Sequence, residues 1–284
     1  MADELSGWLN ELIAGRAVPP ATARVVEVLR ANPEDAAFAT VRSIAETAQV
    51  NIATVTRTGQ FLGYSGWPAF VLDYRGHYLA TLRAGSVLAP NAVSGAPPGP
   101  RGRVHRDARA LEAMAETLDE SSVQRSAERL RGSRRILVLA TGMYTGPALQ
   151  LMHNCQLLGY DAELPLVSAS TQLNAVDRLG PEDTLVVFTI WKTADIVFRL
   201  TRYAHARGVP IMAFTDRSTP VSALVDFTLT VPSEGTSYLP SAVPVVSAVQ
   251  VLLSTLADID PERSRRRFAE VDQLWTEMGI VKDD

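Results

Sequence analysis

Cysteine is almost absent from the chain. Its 284 residues contain one, Cys155, which excludes an internal disulfide and any cysteine-rich zinc site. Aromatic residues make up only 7%, so the core is expected to be built mainly from Ala, Val and Leu. Lysine is rarer still: of the 27 basic residues only Lys192 and Lys282 are lysines, a bias that by itself assigns no function. No apolar run approaches the ~18 residues of a spanning helix. The first ten residues, MADELSGWLN, are acidic rather than signal-like, so neither a membrane nor a secreted protein is expected. The four histidines, His77, His105, His153 and His205, lack HxH or HExxH spacing, and no metal site is expected. No G-x-S-x-G element or P-loop is present. His153 and Cys155 are two apart in one expected helix and face different directions, so they form no dyad, and Cys155 reads as a buried core thiol. The formal net charge is −4, so any nucleic-acid contact must rest on a local face.

What remains is an ordinary globular composition, 46% hydrophobic and 20% charged, long enough for two domains. Composition changes sharply at Ala84 to Arg103, AGSVLAPNAVSGAPPGPRGR. Pro and Gly dominate there and the apolar period is lost, so residues 84–105 read as an exposed linker between a domain at 1–83 and another at 106–284.

The first domain reads as all-helical. Val25, Val28 and Leu29 share a helix face, and Asn32-Pro33 ends that helix. Ser43 to Glu46 has the form of a capping box, with Thr40 as a rival cap. Asn51 caps a further helix that stops near Gly63. The second domain alternates strand and helix. Strands are expected at Arg135 to Ala140, Thr184 to Ile190, Val209 to Phe214 and Phe227 to Val231. A weaker one at Ala162 to Val167 carries Pro165, which suits an edge. A last apolar helix runs from about Val243 to Leu256. Continuous apolar strands between helices predict an α/β domain with a mainly parallel sheet covered on both faces.

Ala45, Val50 and Val55 have the spacing of a helix-turn-helix: a small residue where two helices cross, an apolar residue in the turn, and another inside the second helix. At 100° per residue, Val55, Thr58, Gly59 and Leu62 cluster on one side of that helix. Ala53, Thr56, Arg57 and Gln60 cluster on the other. The outer face is small and polar. Arg57 and Gln60 carry donors suited to guanine or adenine edges or to phosphate. Asn51 and Thr54 flank the helix N-terminus, where backbone N–H groups favour a phosphate. A small helical packing unit with a solvated polar face has the same spacing. Residues 1–83 carry seven Arg against eight Asp and Glu, with no basic stripe. Gln49 stands where glycine is common, Thr58 replaces an apolar residue, and Gly59 weakens the helix by roughly 1 kcal/mol relative to alanine.

Ser43-Ile-Ala-Glu-Thr-Ala-Gln-Val-Asn-Ile-Ala-Thr-Val-Thr-Arg57 and Phe61-Leu-Gly-Tyr-Ser-Gly-Trp-Pro-Ala-Phe70 resemble the N-terminal domain of the RpiR (MurR/RpiR) family of bacterial transcriptional regulators. The order helical domain, linker, α/β domain resembles that family's architecture over nearly the whole chain. The resemblance implies a C-terminal sugar isomerase (SIS) domain and a cytoplasmic regulator. It also implies double-stranded operator DNA and a small-molecule effector as partners, a homodimer or homotetramer, and no catalytic residues, cofactor or membrane.

Ala140-Thr-Gly142-Met-Tyr144 joins a strand to a helix, where ligands bind in open α/β sheets. Gly142 admits a close backbone approach, and the helix start favours an anion. A nicotinamide site is not expected, because Ala140 replaces the first glycine and Val167-Ser168 stands where a ribose-binding acid belongs. In the resembled family a serine-rich S-x-S-G-x-T loop holds phosphate. The matching stretch here is Phe188-Thr-Ile-Trp-Lys-Thr193, where Thr189 or Thr193 keeps one hydroxyl, and Tyr144 stands where that family often has serine. Two readings stay open. Tyr144 and Trp191 fill a lost pocket, or the pocket takes a changed ligand with Lys192 as a point charge and Trp191 or Tyr144 as a stacking wall. Ser168, Ser170 and Thr171 are further hydroxyl candidates. Arg263, Arg265, Arg266 and Arg267 read as a solvated or acid-paired terminal helix. The competing function is a phosphosugar isomerase or lyase of the SIS superfamily with a helical appendage. It requires a general acid/base pair, and Glu163 and Asp177 have no evident partner.

Overall fold

The computed structural model describes residues 2–81, 99–233 and 240–280. Two compact units divide the chain. One is Met1–Thr117 with the short stretches Asp216–Ser218 and Pro232–Ser241; the other is Leu118–Thr215, Thr219–Val231 and Ala242–Asp284.

The first unit is helical: α1 (Ala2–Ile13), α2 (Pro20–Ala31), α3 (Pro33–Phe38), α4 (Val41–Thr47), α5 (Ile52–Phe61), α6 (Trp67–Thr81) and α7 (Pro100–Thr117). Helix α2 begins on Pro20, whose fixed φ suits a first turn, and ends before Pro33. Val25 and Leu29 are buried, and Val28 is half-buried at the margin of the same core. That core draws Leu5 and Leu9 from α1, Ile44 and Ala45 from α4, Val55 from α5, and Trp67, Phe70 and Tyr74 from α6. Helix α7 begins at Pro100, so the last six residues of the segment read as linker are helical. Residues 84–98 of that segment lie outside the described residues.

The second unit is a parallel five-stranded sheet between helical layers. Its elements are α8 (Glu120–Arg131), β1 (Ile136–Leu139), α9 (Thr145–Leu157), β2 (Ala162–Glu163), α10 (Ala169–Asp177), β3 (Thr184–Thr189), α11 (Asp195–Ala206), β4 (Ile211–Thr215), β5 (Phe227–Thr230), α12 (Val243–Ile259) and α13 (Pro261–Glu277). Strand order is β2-β1-β3-β4-β5, all parallel. β1, β3 and β4 are buried along their whole length. Alternation divides their side chains between two faces. Leu137, Leu139, Leu185, Val187, Ile211 and Ala213 pack with Val176 of α10 and Val197 and Leu200 of α11. Ile136, Val138, Val186, Phe188, Met212 and Phe214 are equally buried and point the other way; Phe188 and Phe214 stack there with centroids 4.7 Å apart. The weak strand is two residues long and lies at the edge, before Pro165. Among the described residues no single helix is long and apolar enough to cross a membrane.

Candidate DNA-binding and effector sites

Helix α4 is capped by Thr40, whose Oγ1 accepts from the Ser43 N–H at 3.1 Å. Thr40, the rival, is therefore the cap, and Ser43 lies inside the helix. The C-terminus of α4 closes with two bonds. Val50 N donates to Ala45 O at 2.9 Å and Gln49 N to Glu46 O at 3.1 Å, the 6→1 and 5→2 pair of a Schellman end. That geometry places Gln49 at φ +52°, the left-handed region that glycine enters without a Cβ clash. Asn51 then caps α5, its Oδ1 accepting from Thr54 N and Thr54 Oγ1, both at 2.8 Å. The end of α5 repeats the device with glycine in place: Tyr64 N donates to Gly59 O, Gly63 N to Gln60 O, and Gly63 has φ +98°.

The two faces of α5 separate as its spacing predicts. Val55, Thr58 and Gly59 are buried, with Leu62 at the helix end also buried. Thr58 fits an apolar position because its hydroxyl donates to Thr54 O at 2.9 Å, so the buried polar atom is satisfied within its own helix. Asn51, Thr56, Arg57 and Gln60 are exposed and Thr54 is half-buried. Arg57 Nε donates to Ala53 O at 3.2 Å, which leaves the donors on its two terminal guanidinium nitrogens for a partner outside the helix. The sequence pattern gives no signal for Ile52. It opens α5 and is 48% exposed, a β-branched side chain left in solvent among polar neighbours.

In the second unit, the strand order reverses at β1: the chain adds β2 on one side of it and β3 on the other. Ligands in open parallel sheets sit at the carboxyl ends of the strands beside such a reversal. The loops after β1 and β3 therefore open on one edge, since Leu139 pairs in register with Val187. Gly142 has φ +59°, and a Cβ at that position would meet nothing within 4 Å, so conformation rather than crowding requires glycine. It starts a 3₁₀ turn that ends on Tyr144, whose side chain is buried. After β3, Lys192 N donates to Ile190 O at 2.9 Å across Trp191, and Trp191 has φ +63°. An i→i+2 bond around a residue of positive φ is the strained form of the γ-turn. The exposed Lys192 ammonium lies 5.4 Å from the Trp191 ring centroid. Thr193 is half-buried in the same loop.

Not every predicted residue serves that edge equally. Thr189 is buried; its hydroxyl lies 3.4 Å from Phe214 O, while Thr215 Oγ1 donates to Thr189 O at 3.3 Å. It pairs with Thr215 across β3 and β4, a partner the sequence does not suggest. Ser168 follows β2 and is the N-cap of α10, accepting from Thr171 N at 3.2 Å and lying within hydrogen-bond distance of the Ser170 and Thr171 hydroxyls. Glu163 pairs with Arg178, and Asp177 with Arg207 and Tyr203. Cys155 is buried, and burial pushes its thiol up to about 12. Among the described residues no group of three His, Cys, Asp or Glu side chains is placed to hold a metal.

Residues 14–79, which contain α4, the turn and α5, match the helix-turn-helix domain of the rpiR family. The chain is 24% identical over 226 residues to the HTH-type transcriptional regulator HexR of Escherichia coli (strain K12), covering 76% of this chain and 75% of HexR. The sugar isomerase domain of an RpiR transcription factor from Sphaerobacter thermophilus superposes with a TM-score of 0.59 at 24% identity, covering 61% of this chain and 98% of that one. The NanR protein of Vibrio vulnificus, solved in complex with ManNAc-6P, superposes with a TM-score of 0.59 at 19% identity over 98% of this chain and 100% of that one. The fold is thus a helix-turn-helix domain followed by a SIS-like α/β domain. Residues 14–79 form a helix-turn-helix domain of the rpiR family, and the chain as a whole is similar to RpiR-type transcriptional regulators.

Proposed function

We propose that this chain is a transcriptional regulator that reads double-stranded operator DNA with the outer face of α5, as a homodimer or homotetramer, under the control of a small anionic metabolite bound at the carboxyl edge of β1 and β3. The observation that carries the reading is the division of α5 into a buried apolar side and an exposed side bearing Thr56, Arg57 and Gln60. The assigned DNA-contacting residues are these three with Asn51 and Thr54. A cytoplasmic location goes with it.

Further observations support the remaining parts. NanR holds ManNAc-6P, a phosphorylated sugar, which favours an anionic ligand here. Gly142, Tyr144, Trp191, Lys192 and Thr193 belong to loops of neighbouring strands; Thr189 and Ser168 stand at the margins of that edge, both already hydrogen-bonded. The aromatic side chains at 144 and 191 favour a ligand with a flat or apolar part beside its anionic group. Self-association is supported by α13, which has no buried residue in the single chain. Phe268, Leu274 and Met278 are 55%, 53% and 69% exposed and share a stripe with the half-buried Val271 and Trp275. Arg265 and Arg266 lie in the first half of that helix, and Glu270, Asp272 and Glu277 in the second. Antiparallel pairing with a second copy about a two-fold axis sets basic half against acidic half.

Selection of an operator from a randomised duplex pool, followed by fluorescence anisotropy at fixed salt, tests the DNA reading. Arg57→Ala is expected to weaken specific binding by about 1–3 kcal/mol. A folded Arg57→Ala variant that keeps both affinity and selectivity rejects the recognition face.

A further inference from the structure

The exposed side of α5 is not uniformly polar. Ile52 is its first residue and is 48% exposed; Ala53 and Thr56 are exposed beside it. At 100° per residue these three positions span about 100° of the first turn and a half. The other aliphatic residue of the helix interior, Val55, is fully buried, so the exposure of Ile52 is specific to its position rather than a property of a loosely packed helix.

The side-chain oxygens of Asn51, Thr54 and Thr56 are engaged within the helix start. Asn51 Oδ1 accepts two bonds from Thr54. The Thr56 hydroxyl is turned toward Ile52 O at 3.4 Å. Donors suited to base edges begin further along, at Arg57 and Gln60. A recognition helix presents its N-terminal residues to the base edges of the major groove. The methyl group on C5 of thymine is the apolar feature displayed there.

We infer that Ile52 is a specificity-determining residue: together with Ala53 and the Thr56 methyl group it recognises thymine C5-methyl groups in the operator half-site. This rests on the DNA-binding reading above. The first turn of α5 selects by apolar contact, and the following turn, through Arg57 and Gln60, by hydrogen bonds.

The test uses the full-length chain and an operator selected from a randomised duplex pool. Each thymine of the half-site is replaced singly by deoxyuridine, which removes one methyl group and leaves every base-pairing and hydrogen-bonding atom in place. For the wild-type chain, at least one thymine-to-uracil change is expected to weaken binding roughly three- to fivefold, the loss of one buried methyl contact. Ile52→Ala is expected to abolish that thymine-over-uracil preference at the same position, with the dependence of affinity on salt unchanged because phosphate contacts persist. Ile52 is exposed, and thermal melting of the variant verifies that its fold is intact. Wild-type indifference to uracil at every position overturns the inference while leaving operator binding standing. So does a thymine preference that persists undiminished in Ile52→Ala. A pool that yields no preferred sequence rejects the DNA-binding reading itself, and the inference with it.

Discussion

Gly59 and Gly66 are held backbone to backbone: a Cβ on Gly59 would lie 2.7 Å from the Gly66 carbonyl carbon, 2.8 Å from its oxygen and 2.8 Å from Trp67 N. The second helix of the helix-turn-helix can approach the start of α6 only because position 59 has no side chain. Gly59→Ala is therefore expected to destabilise the protein by about 1–3 kcal/mol through overpacking, despite the roughly 1 kcal/mol that alanine gains in helix propensity. Gly7→Ala in α1, with nothing within 4 Å of its Cβ, is the opposite case and should stabilise by about 0.5–1 kcal/mol. Denaturant melts of both variants check the pair. Equal and favourable shifts would reject the crowding argument.

Gln49 is expected to behave in the reverse sense. It closes α4 at φ +52°, where a side chain costs roughly 1–2 kcal/mol relative to glycine before glycine's greater unfolded-state entropy is counted. Gln49→Gly should raise stability by about 1 kcal/mol. Because Gln49 lies outside α5, operator affinity should not change. A lower melting temperature would mean that the Gln49 side chain contributes more than its backbone conformation costs.

These two positions show how the sequence and the fold relate. Spacing is enough to place α2, the two faces of α5, and the four strong strands, because each depends on periodic burial. Gly59 reads as a weak point in a helix, since its reason is the passage of Gly66, seven residues away and unmarked by any periodicity. Thr58 reads as a departure from an apolar pattern, but its hydroxyl returns to Thr54 O. Ile52 leaves no mark in the sequence because a single exposed apolar residue breaks no pattern. In the α/β unit, loop position is legible from strand-to-helix junctions. The engagement of the Thr189 hydroxyl with β4 is not, because it depends on strand order and register. The helix at Pro100 is hidden by proline and glycine, which suit a helix start as well as a linker.

Helix α13 leads to a prediction about assembly. Helices of this length draw most of their stability from a packed apolar face, yet no α13 residue is buried in the single chain. Leu274→Glu is expected to place a charge in the face proposed to self-pair and shift the full-length chain toward monomer in sedimentation at micromolar concentration. Operator affinity should fall in parallel, since a symmetric reader needs two recognition helices at once. Arg265→Glu with Arg266→Glu should weaken association in the same way, and more at low salt than at high salt. An unchanged sedimentation coefficient for Leu274→Glu removes α13 from the interface.

Trp191 holds a strained backbone in the loop proposed to bind the effector. A non-glycine residue in a strained turn costs of the order of 1–3 kcal/mol, and such residues cluster at ligand sites because the surrounding structure holds them there. Trp191 has φ +63° between a buried strand that ends at Thr189 and a helix that begins at Asp195, so both sides of the turn are fixed. If the indole forms a wall of the effector site, Trp191→Gly must separate two properties. Stability should rise by about 1 kcal/mol as the strain is relieved, while affinity for an anionic ligand should fall. Trp191→Phe keeps the strained backbone and an aromatic face, so it should leave stability near that of the wild type and retain most of the affinity. Calorimetric titration with ManNAc-6P and with aromatic carboxylates, alongside thermal melts, measures both properties. Lys192→Ala is expected to lower affinity for either ligand class without the gain in stability. A Trp191→Gly variant that binds these anions as tightly as the wild type would show that the indole only fills space. A variant that loses stability would show that its packing outweighs the strain of its turn.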